Sequence, residues 1–175
     1  MMLDDLKNVD WTALGESEMP EWLMAVTSDN HPARQEALNR LTWRLTPWPA
    51  YDYVDGTPDQ FKEPLRDDIP LATVPFLIEL LSDEQVGCKE FLLEVLYDLA
   101  CYIYAAEVYI RDSDTEDQIY RTRARLIREA VRKGRPIYES FLDLPESYID
   151  SKEMRIKESA KAILSILRVN KISDL

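Results

Sequence analysis

Residues 70–106 read PLATVPFLIELLSDEQVGCKEFLLEVLYDLACYIYAA, and this stretch decides the fold. Its apolar side chains recur at a spacing near 3.6 residues in two runs, which the polar residues 82–87 separate. This is the pattern of two amphipathic helices joined by a turn. We predict that the first helix begins near Thr73, because Pro75 then falls in its first turn, where a missing N–H is tolerated.

The second helix of this hairpin is predicted to lie at the centre of the core. Its apolar residues cover more than one face, which indicates a helix buried on several sides. One edge is polar, because three carboxylates follow one another at a spacing of four residues: Glu90, Glu94 and Asp98. We therefore expect Leu96 to be fully buried and these three acids to face solvent.

A short motif in the second helix recurs elsewhere in the chain. A basic residue is followed, three positions later, by Ala or Leu, and four positions after that by Leu. The three copies are Arg34-x-x-Ala37-x-x-x-Leu41, Lys89-x-x-Leu92-x-x-x-Leu96 and Lys157-x-x-Ala160-x-x-x-Leu164. Repetition of a helical motif at intervals is typical of stacked helix pairs.

This pattern resembles the HEAT-repeat family. The resemblance implies an all-α fold, a short right-handed solenoid of about three antiparallel helix pairs, and a role as a binding scaffold. The arrangement also resembles, more loosely, small bacterial HEAT-like proteins found with toxin–immunity systems, which implies an immunity or antitoxin-like inhibitor. The chain departs from the family pattern in a long loop after the first pair and in an extra basic helix before the third.

We expect residues 1–175 to form one domain organised around these pairs. The first pair is predicted at residues 19–28 and from Pro32 to Leu45, and the third at residues 136–144 and 152–169. Between the pairs lie a long loop at residues 46–69, an acidic connector at residues 105–118 and a helix at residues 119–135. Gly134-Arg135-Pro136 should interrupt that helix. Trp11 is expected to pack on the first pair.

The charge is large and uneven. The net charge is −12 overall. Residues 1–118 carry 25 acids and 8 bases, whereas residues 119–175 carry 8 acids and 13 bases. An acidic surface repels nucleic acid and attracts basic proteins. The alternative is that the acidity only keeps the protein soluble.

The loop at residues 46–69 combines prolines, aromatic residues and carboxylates. Loops of this length are uncommon in compact domains, and many are functional. We predict that a basic protein partner docks on this loop and on the polar edge of the central helix. The predicted contact residues are Trp48, Tyr51, Asp52, Tyr53, Asp55, Asp59, Glu90, Glu94 and Asp98. The alternative is a lid whose aromatic residues fill the groove between the first two pairs.

Five arginines form a row on the predicted basic helix. They are Arg121, Arg125, Arg128, Arg132 and Arg135. One interpretation is that the row pairs with carboxylates of the same chain, such as Glu90, Glu94 and Asp98. The other is a site for phosphate or an acidic partner, since the guanidinium fork binds both. A resemblance to HEAT-like DNA glycosylases would then imply nucleic-acid binding, although the acidity of residues 1–118 makes it the less favoured hypothesis.

The sequence contains none of the common catalytic or phosphate-binding motifs, and we expect no enzyme activity, cofactor or metal site. His31 is the one histidine and falls in a predicted capping turn. Cys88 and Cys101 are expected to be reduced core thiols, which favours a cytoplasmic location. No apolar run approaches the ~20 residues of a membrane helix, so no membrane span is expected.

Overall fold

A computed structural model describes residues 3–46, 65–109, 115–144 and 151–168 of the chain. Within these ranges it contains seven α-helices and no β-strand, which confirms the all-α prediction. The helices are α1 (Met19–Ala25), α2 (His31–Leu45), α3 (Ile69–Ser82), α4 (Lys89–Tyr109), α5 (Thr115–Arg132), α6 (Arg135–Ser140) and α7 (Lys152–Arg168). Short 3-10 segments cover Leu3–Asn8 and Phe141–Asp143.

The ends of α2 and α7 agree with the sequence prediction to within a residue or two. The Oδ1 atom of Asn30 accepts a hydrogen bond from the amide of Ala33 at 3.2 Å, and Pro32 occupies the first turn of α2. An N-cap side chain of this kind satisfies one of the amides that a helix start leaves without a partner. Helix α1 ends at Ala25, three residues earlier than the predicted Ser28.

The predicted start of α3 was wrong. The helix begins at Ile69, so Pro70 takes the first-turn position and Pro75 lies in the helix interior. An interior proline removes one backbone hydrogen bond. The ring of Pro75 points to solvent, and the hydroxyl of Thr73 donates to the carbonyl of Ile69 at 2.7 Å in the same turn. The helix therefore continues through the second proline.

The acidic connector is shorter than predicted. Helix α4 extends to Tyr109 and α5 starts at Thr115, so both ends of the predicted 105–118 connector are helical. The basic helix ends at Arg132 rather than Arg135, which begins α6 instead. The predicted break at Gly134 is confirmed. A Cβ at Gly134 would collide with the phenol of Tyr138, whose hydroxyl donates to the carbonyl of Val131 at 2.9 Å.

Helix α4 is the centre of the core, as predicted. It packs against α2, α3, α5 and α7, and Leu96 is completely buried. Its Tyr102 is also completely buried, and the phenol donates to the carbonyl of Leu45 at 2.8 Å. This bond satisfies one of the carbonyls at the C-terminal end of α2.

Helices α2, α4 and α7 run in the same direction. The start of α2 lies beside the start of α4, as shown by His31 and Glu90, which line the same cleft. At the other end Leu45 meets Tyr102. The Nζ atom of Lys152, the first residue of α7, donates to the carbonyl of Gly87, just before α4.

The N-terminal segment contacts α3 through Trp11. Trp11 is buried, and its indole N–H donates to the carbonyl of Leu6 at 2.8 Å. Its ring centroid lies 6.0 Å from that of Phe76 on α3. Trp11 therefore reaches α3, a contact that the prediction did not include. None of the helices in the described ranges has the length and apolar character that a membrane span requires.

We predict that Leu96→Ala lowers the free energy of unfolding by about 2–5 kcal/mol, because it leaves a cavity inside the core. Leu126→Ala is the matched control, since Leu126 is 47% exposed on α5 and its truncation should change stability by no more than about 0.5 kcal/mol. Urea denaturation followed by circular dichroism measures both. Equal losses in the two variants would contradict the central position of α4.

Candidate functional site

The predicted docking site is only partly within the described residues. Its loop members lie outside them: Trp48, Tyr51, Asp52, Tyr53, Asp55 and Asp59. The three carboxylates of α4 are described. Glu90 and Glu94 line a common cleft, whereas Asp98 lies one turn further along the helix and does not line it.

The cleft has a volume of about 310 Å³ and lies between the N-terminal turns of α2 and α4. Small-molecule sites and side-chain receptor pockets begin near ~300 Å³. The two helices each contribute one face at helical spacing. The lining residues are His31, Arg34, Gln35 and Leu38 from α2, and Gly87, Cys88, Glu90, Phe91 and Glu94 from α4 and the turn before it.

Glu90 and Glu94 form a carboxylate pair on one wall of this cleft. Residues four apart on a helix have Cβ atoms roughly 6 Å apart. The Oε2 atom of Glu90 is buried and accepts no hydrogen bond from any described residue. Burial raises the pKa of the Glu94 carboxyl, and the nearby charge of Glu90 raises it further. Both observations indicate carboxylates that the protein itself compensates incompletely.

Three basic residues lie near the carboxylate pair. Arg34 donates its Nη1 hydrogen to the carbonyl of Ser28 at 2.8 Å, and Lys152 donates to the carbonyl of Gly87. Both positive groups are thus held by backbone oxygens. Arg155 lowers the pKa of Glu94, but by less than burial and Glu90 raise it. Among the described residues, the Oε2 atom of Glu90 is therefore left with unfilled capacity for a hydrogen-bond donor.

The thiol of Cys88 does not add a nucleophile to the cleft. Its side chain is buried, and burial raises the pKa of the thiol despite the opposing charge of Arg34. The thiol stays protonated near neutral pH, and a protonated thiol is neither a good nucleophile nor a metal ligand. Across the described part of the chain, no three His, Cys, Asp or Glu side chains are grouped so that they could hold a metal ion.

The sequence prediction missed the α2 wall of the cleft. His31 and Arg34 had been interpreted only as members of a capping turn and a repeat motif. The sequence did contain a relevant pattern. The repeat aligns Arg34 with Lys89, which indicates that the starts of α2 and α4 lie side by side. No pattern in the sequence indicates that the two helices leave a cleft there.

The arginine row is not one continuous surface. Helix α5 ends before Arg135, which forms an exposed ion pair with Glu139 on α6. Arg128 is buried and donates to the carbonyl of Ile166 at 2.8 Å. Arg132 donates to the carbonyl of Leu167 at 3.4 Å and pairs with Glu129.

The described contacts therefore give part of the row a structural role. The last carbonyls of a helix lack partners within that helix, and cationic side chains stabilise them. Arg128 and Arg132 do this for α7. Arg125 is exposed on the outer side of α5.

Arg123 was not part of the predicted row, yet it holds the segment that leads into α3. Its guanidinium donates to the carboxylate of Asp68 at 2.8 Å and to the carbonyls of Leu65 and Arg66 at 3.0 and 2.7 Å. The planar guanidinium of Arg123 has several N–H donors, so it can hydrogen-bond to several oxygen acceptors at once. The sequence offered no periodic signal for this contact, since it joins residues more than fifty positions apart.

A further exposed aromatic residue lies outside the predicted site. Trp43 on α2 is 70% exposed. Exposed single apolar residues are common on proteins, but tryptophan is enriched among residues that dominate binding energy at interfaces. The prediction had placed the aromatic anchors further along the chain, in residues 46–69.

Comparison of the chain with protein-family models, with curated proteins and with solved structures gave no match. The functional argument therefore depends on the contacts and charges of this chain alone.

We predict that Glu94→Gln raises stability at neutral pH and has no effect at strongly acidic pH. The folded-state pKa of Glu94 is raised above its ordinary value of 4.5. Ionisation of Glu94 consequently destabilises the fold as the pH rises from about 4.5 to above the folded-state pKa. Because Glu94 is exposed to solvent, the gain should remain below about 1 kcal/mol. Unfolding by urea at several pH values tests this, and a gain that is equal at all pH values would contradict it.

We also predict that Arg128→Met lowers the free energy of unfolding by about 1.5–3 kcal/mol, because the carbonyl of Ile166 loses a charged donor. Hydrogen exchange should accelerate at the C-terminal turn of α7. Arg125→Met is the matched control on the same helix, since Arg125 is exposed, and it should leave both measurements unchanged. Equal exchange rates in the two variants would show that Arg128 does not cap α7.

Proposed function

We propose that this protein is a non-enzymatic binding module that recognises a basic protein partner. The observation that carries the proposal is the carboxylate pair of Glu90 and Glu94, which opens into a cleft and is incompletely compensated by the chain. A partner that brings positive charge to this cleft completes the missing interactions. The net charge of −12 favours the same class of partner, since it accelerates encounter with basic proteins.

The proposal includes a HEAT-like solenoid as the scaffold. Two kinds of contact support it. The second helices of the three predicted pairs, α2, α4 and α7, run in the same direction, with α4 between the others. In addition, the motif's basic residue has a similar role in the first and third copies. Arg34 donates to the carbonyl of Ser28 and Lys157 to that of Leu144, in each case in the segment after the first helix of the pair.

The most specific version of the proposal is an immunity or antitoxin-like inhibitor. A cytotoxic enzyme that acts on nucleic acid carries a positive active-site surface, because its substrate is a polyanion. An acidic protein that covers such a surface would block substrate entry. The argument for this version is charge complementarity together with the family resemblance.

Nucleic-acid binding through α5 is the weaker alternative. Phosphate recognition needs several free cationic side chains on one face. Arg128 and Arg132 instead bind α7, and Arg135 binds Glu139. A gel-shift titration with duplex DNA at low salt separates the two hypotheses, and salt-sensitive binding that Arg125→Met weakens would favour the alternative.

The binding proposal predicts that Glu90→Gln with Glu94→Gln weakens retention of the partner by about tenfold or more, since charged hydrogen bonds are worth about 1.5–3 kcal/mol each. The chain is immobilised, proteins from the same cells are applied, and the retained proteins are identified and eluted with salt. A single retained species of high isoelectric point, present in equimolar amount and eluted by moderate salt, is expected. The affinity is then measured with that purified partner.

The control removes two negative charges elsewhere. Glu21→Gln with Glu129→Gln alters exposed residues on α1 and α5, neither of which lines the cleft. This variant should slow association slightly and leave dissociation unchanged, because remote charges act mainly on encounter. Equal weakening in the two double variants would show that net charge, and not the cleft, binds the partner. Retention of acidic partners alone would overturn the proposal.

A further inference from the structure

The cleft between α2 and α4 has the chemistry of a receptor for one cationic side chain. Its acidic wall contains Glu90 and Glu94, and its apolar lining is provided by Leu38 and Phe91. A volume of about 310 Å³ would hold about ten water molecules at roughly 30 Å³ each. This space suits one long side chain better than a single ion.

Resting on the proposed function, we propose that the cleft binds a single arginine side chain of the partner, with its guanidinium hydrogen-bonded to Glu90 and Glu94. The guanidinium presents five donors in a plane, so it can serve two carboxylates that lie one helical turn apart. Glu90 lines the cleft, and its Oε2 atom, which is buried and accepts no hydrogen bond from the described residues, becomes an acceptor for this ligand when the carboxylate rotates into the cleft.

Two other cations fit the cleft less well. A lysine ammonium is a compact and strongly hydrated charge, so its transfer into a partly apolar cleft costs more solvation than that of a guanidinium. Phe91 adds to this preference, because guanidinium groups pack favourably on aromatic surfaces. A calcium ion requires six to eight oxygen ligands, and the described residues offer no group of three acidic or other metal-binding side chains.

Arg34 on the opposite wall acts against the incoming charge. Its guanidinium is held by the carbonyl of Ser28, so it remains in the cleft rather than turning to solvent. Burial and the charge of Glu90 nevertheless raise the pKa of Glu94 by more than the charge of Arg155 lowers it. Removal of the Arg34 charge should consequently strengthen binding of the arginine ligand. If the cleft had only a structural role, this substitution would not change ligand binding.

The test uses three small probes with the full chain. They are the N-acetyl methylamides of arginine, of citrulline, which is nearly isosteric but neutral, and of lysine. Backbone amide chemical shifts are followed by NMR during titration. We expect saturable shifts with the arginine probe at Glu90, Phe91 and Gly87, and binding that is about tenfold weaker for citrulline, which lacks the charge. Lysine should bind more weakly than arginine.

Variants of the protein test which of its residues bind the arginine probe. Glu90→Gln and Glu94→Gln should each weaken the arginine probe about tenfold, Glu129→Gln should leave it unchanged, and Arg34→Gln should strengthen it. Amide dispersion in each spectrum verifies that the variant is folded. Equal binding of arginine and citrulline, or no effect of Glu90→Gln, would overturn the inference. Equal binding of lysine would overturn the choice of arginine.

Failure of this inference and failure of the proposed function give different results. If the arginine probe binds in the cleft but the Glu90 and Glu94 double variant retains its partner fully, the arginine site stands and the proposed docking position is wrong. If the double variant loses the partner but the probe does not bind, the docking position stands and the arginine receptor is wrong. Substitution of individual arginines in the purified partner then identifies the inserted residue, and a partner without such a residue also contradicts the inference.

Discussion

The rest of the structure depends on the burial of α4 on most of its circumference. Four helices pack against it, and its central residues, such as Leu92, Leu96 and Leu99, have no exposed surface. A helix buried this widely has little room for charged residues, because an unpaired charge in the core is strongly destabilising. Three of its carboxylates, Glu90, Glu94 and Asp98, consequently follow one edge. The concentration of negative charge at Glu90 and Glu94 is thus a consequence of the same packing that stabilises the fold.

Parallel packing of α2 beside α4 turns that edge into a cleft. The two helices are joined where the phenol of Tyr102, in the second half of α4, donates to the carbonyl of Leu45 at the end of α2. Near their N-terminal ends they are separated by a cavity lined partly by polar side chains. Glu90 lines this cleft, and its buried Oε2 atom accepts no hydrogen bond from the described residues.

Much of the fold follows from periodicity, whereas the details that shape the site do not. The apolar arc of α4, the caps of α2 and the break at Gly134 were readable because each depends on residues close in sequence. The start of α3 was wrongly predicted because either Pro70 or Pro75 could occupy the first turn of the helix. The helix begins at Ile69, which is completely buried, and Pro70 therefore takes that position. The role of Arg128 depends on a contact with Ile166, which lies 38 positions away. Of the candidate site, the two glutamates were predicted from spacing, while His31 and Arg34 required the relative placement of two helices.

The incomplete compensation of Glu90 and Glu94 has a physical rationale in binding. Carboxylates that are fully paired within the chain have little to gain from a partner, because the internal partner must first be displaced. Arg34 lines the same cleft and Lys152 lies at its edge, yet both donate to backbone carbonyls. The Oε2 atom of Glu90 thus keeps acceptor capacity that the described residues do not use. The folded chain accepts a small loss of stability at Glu94, and the cationic ligand that we propose would recover this energy when it binds.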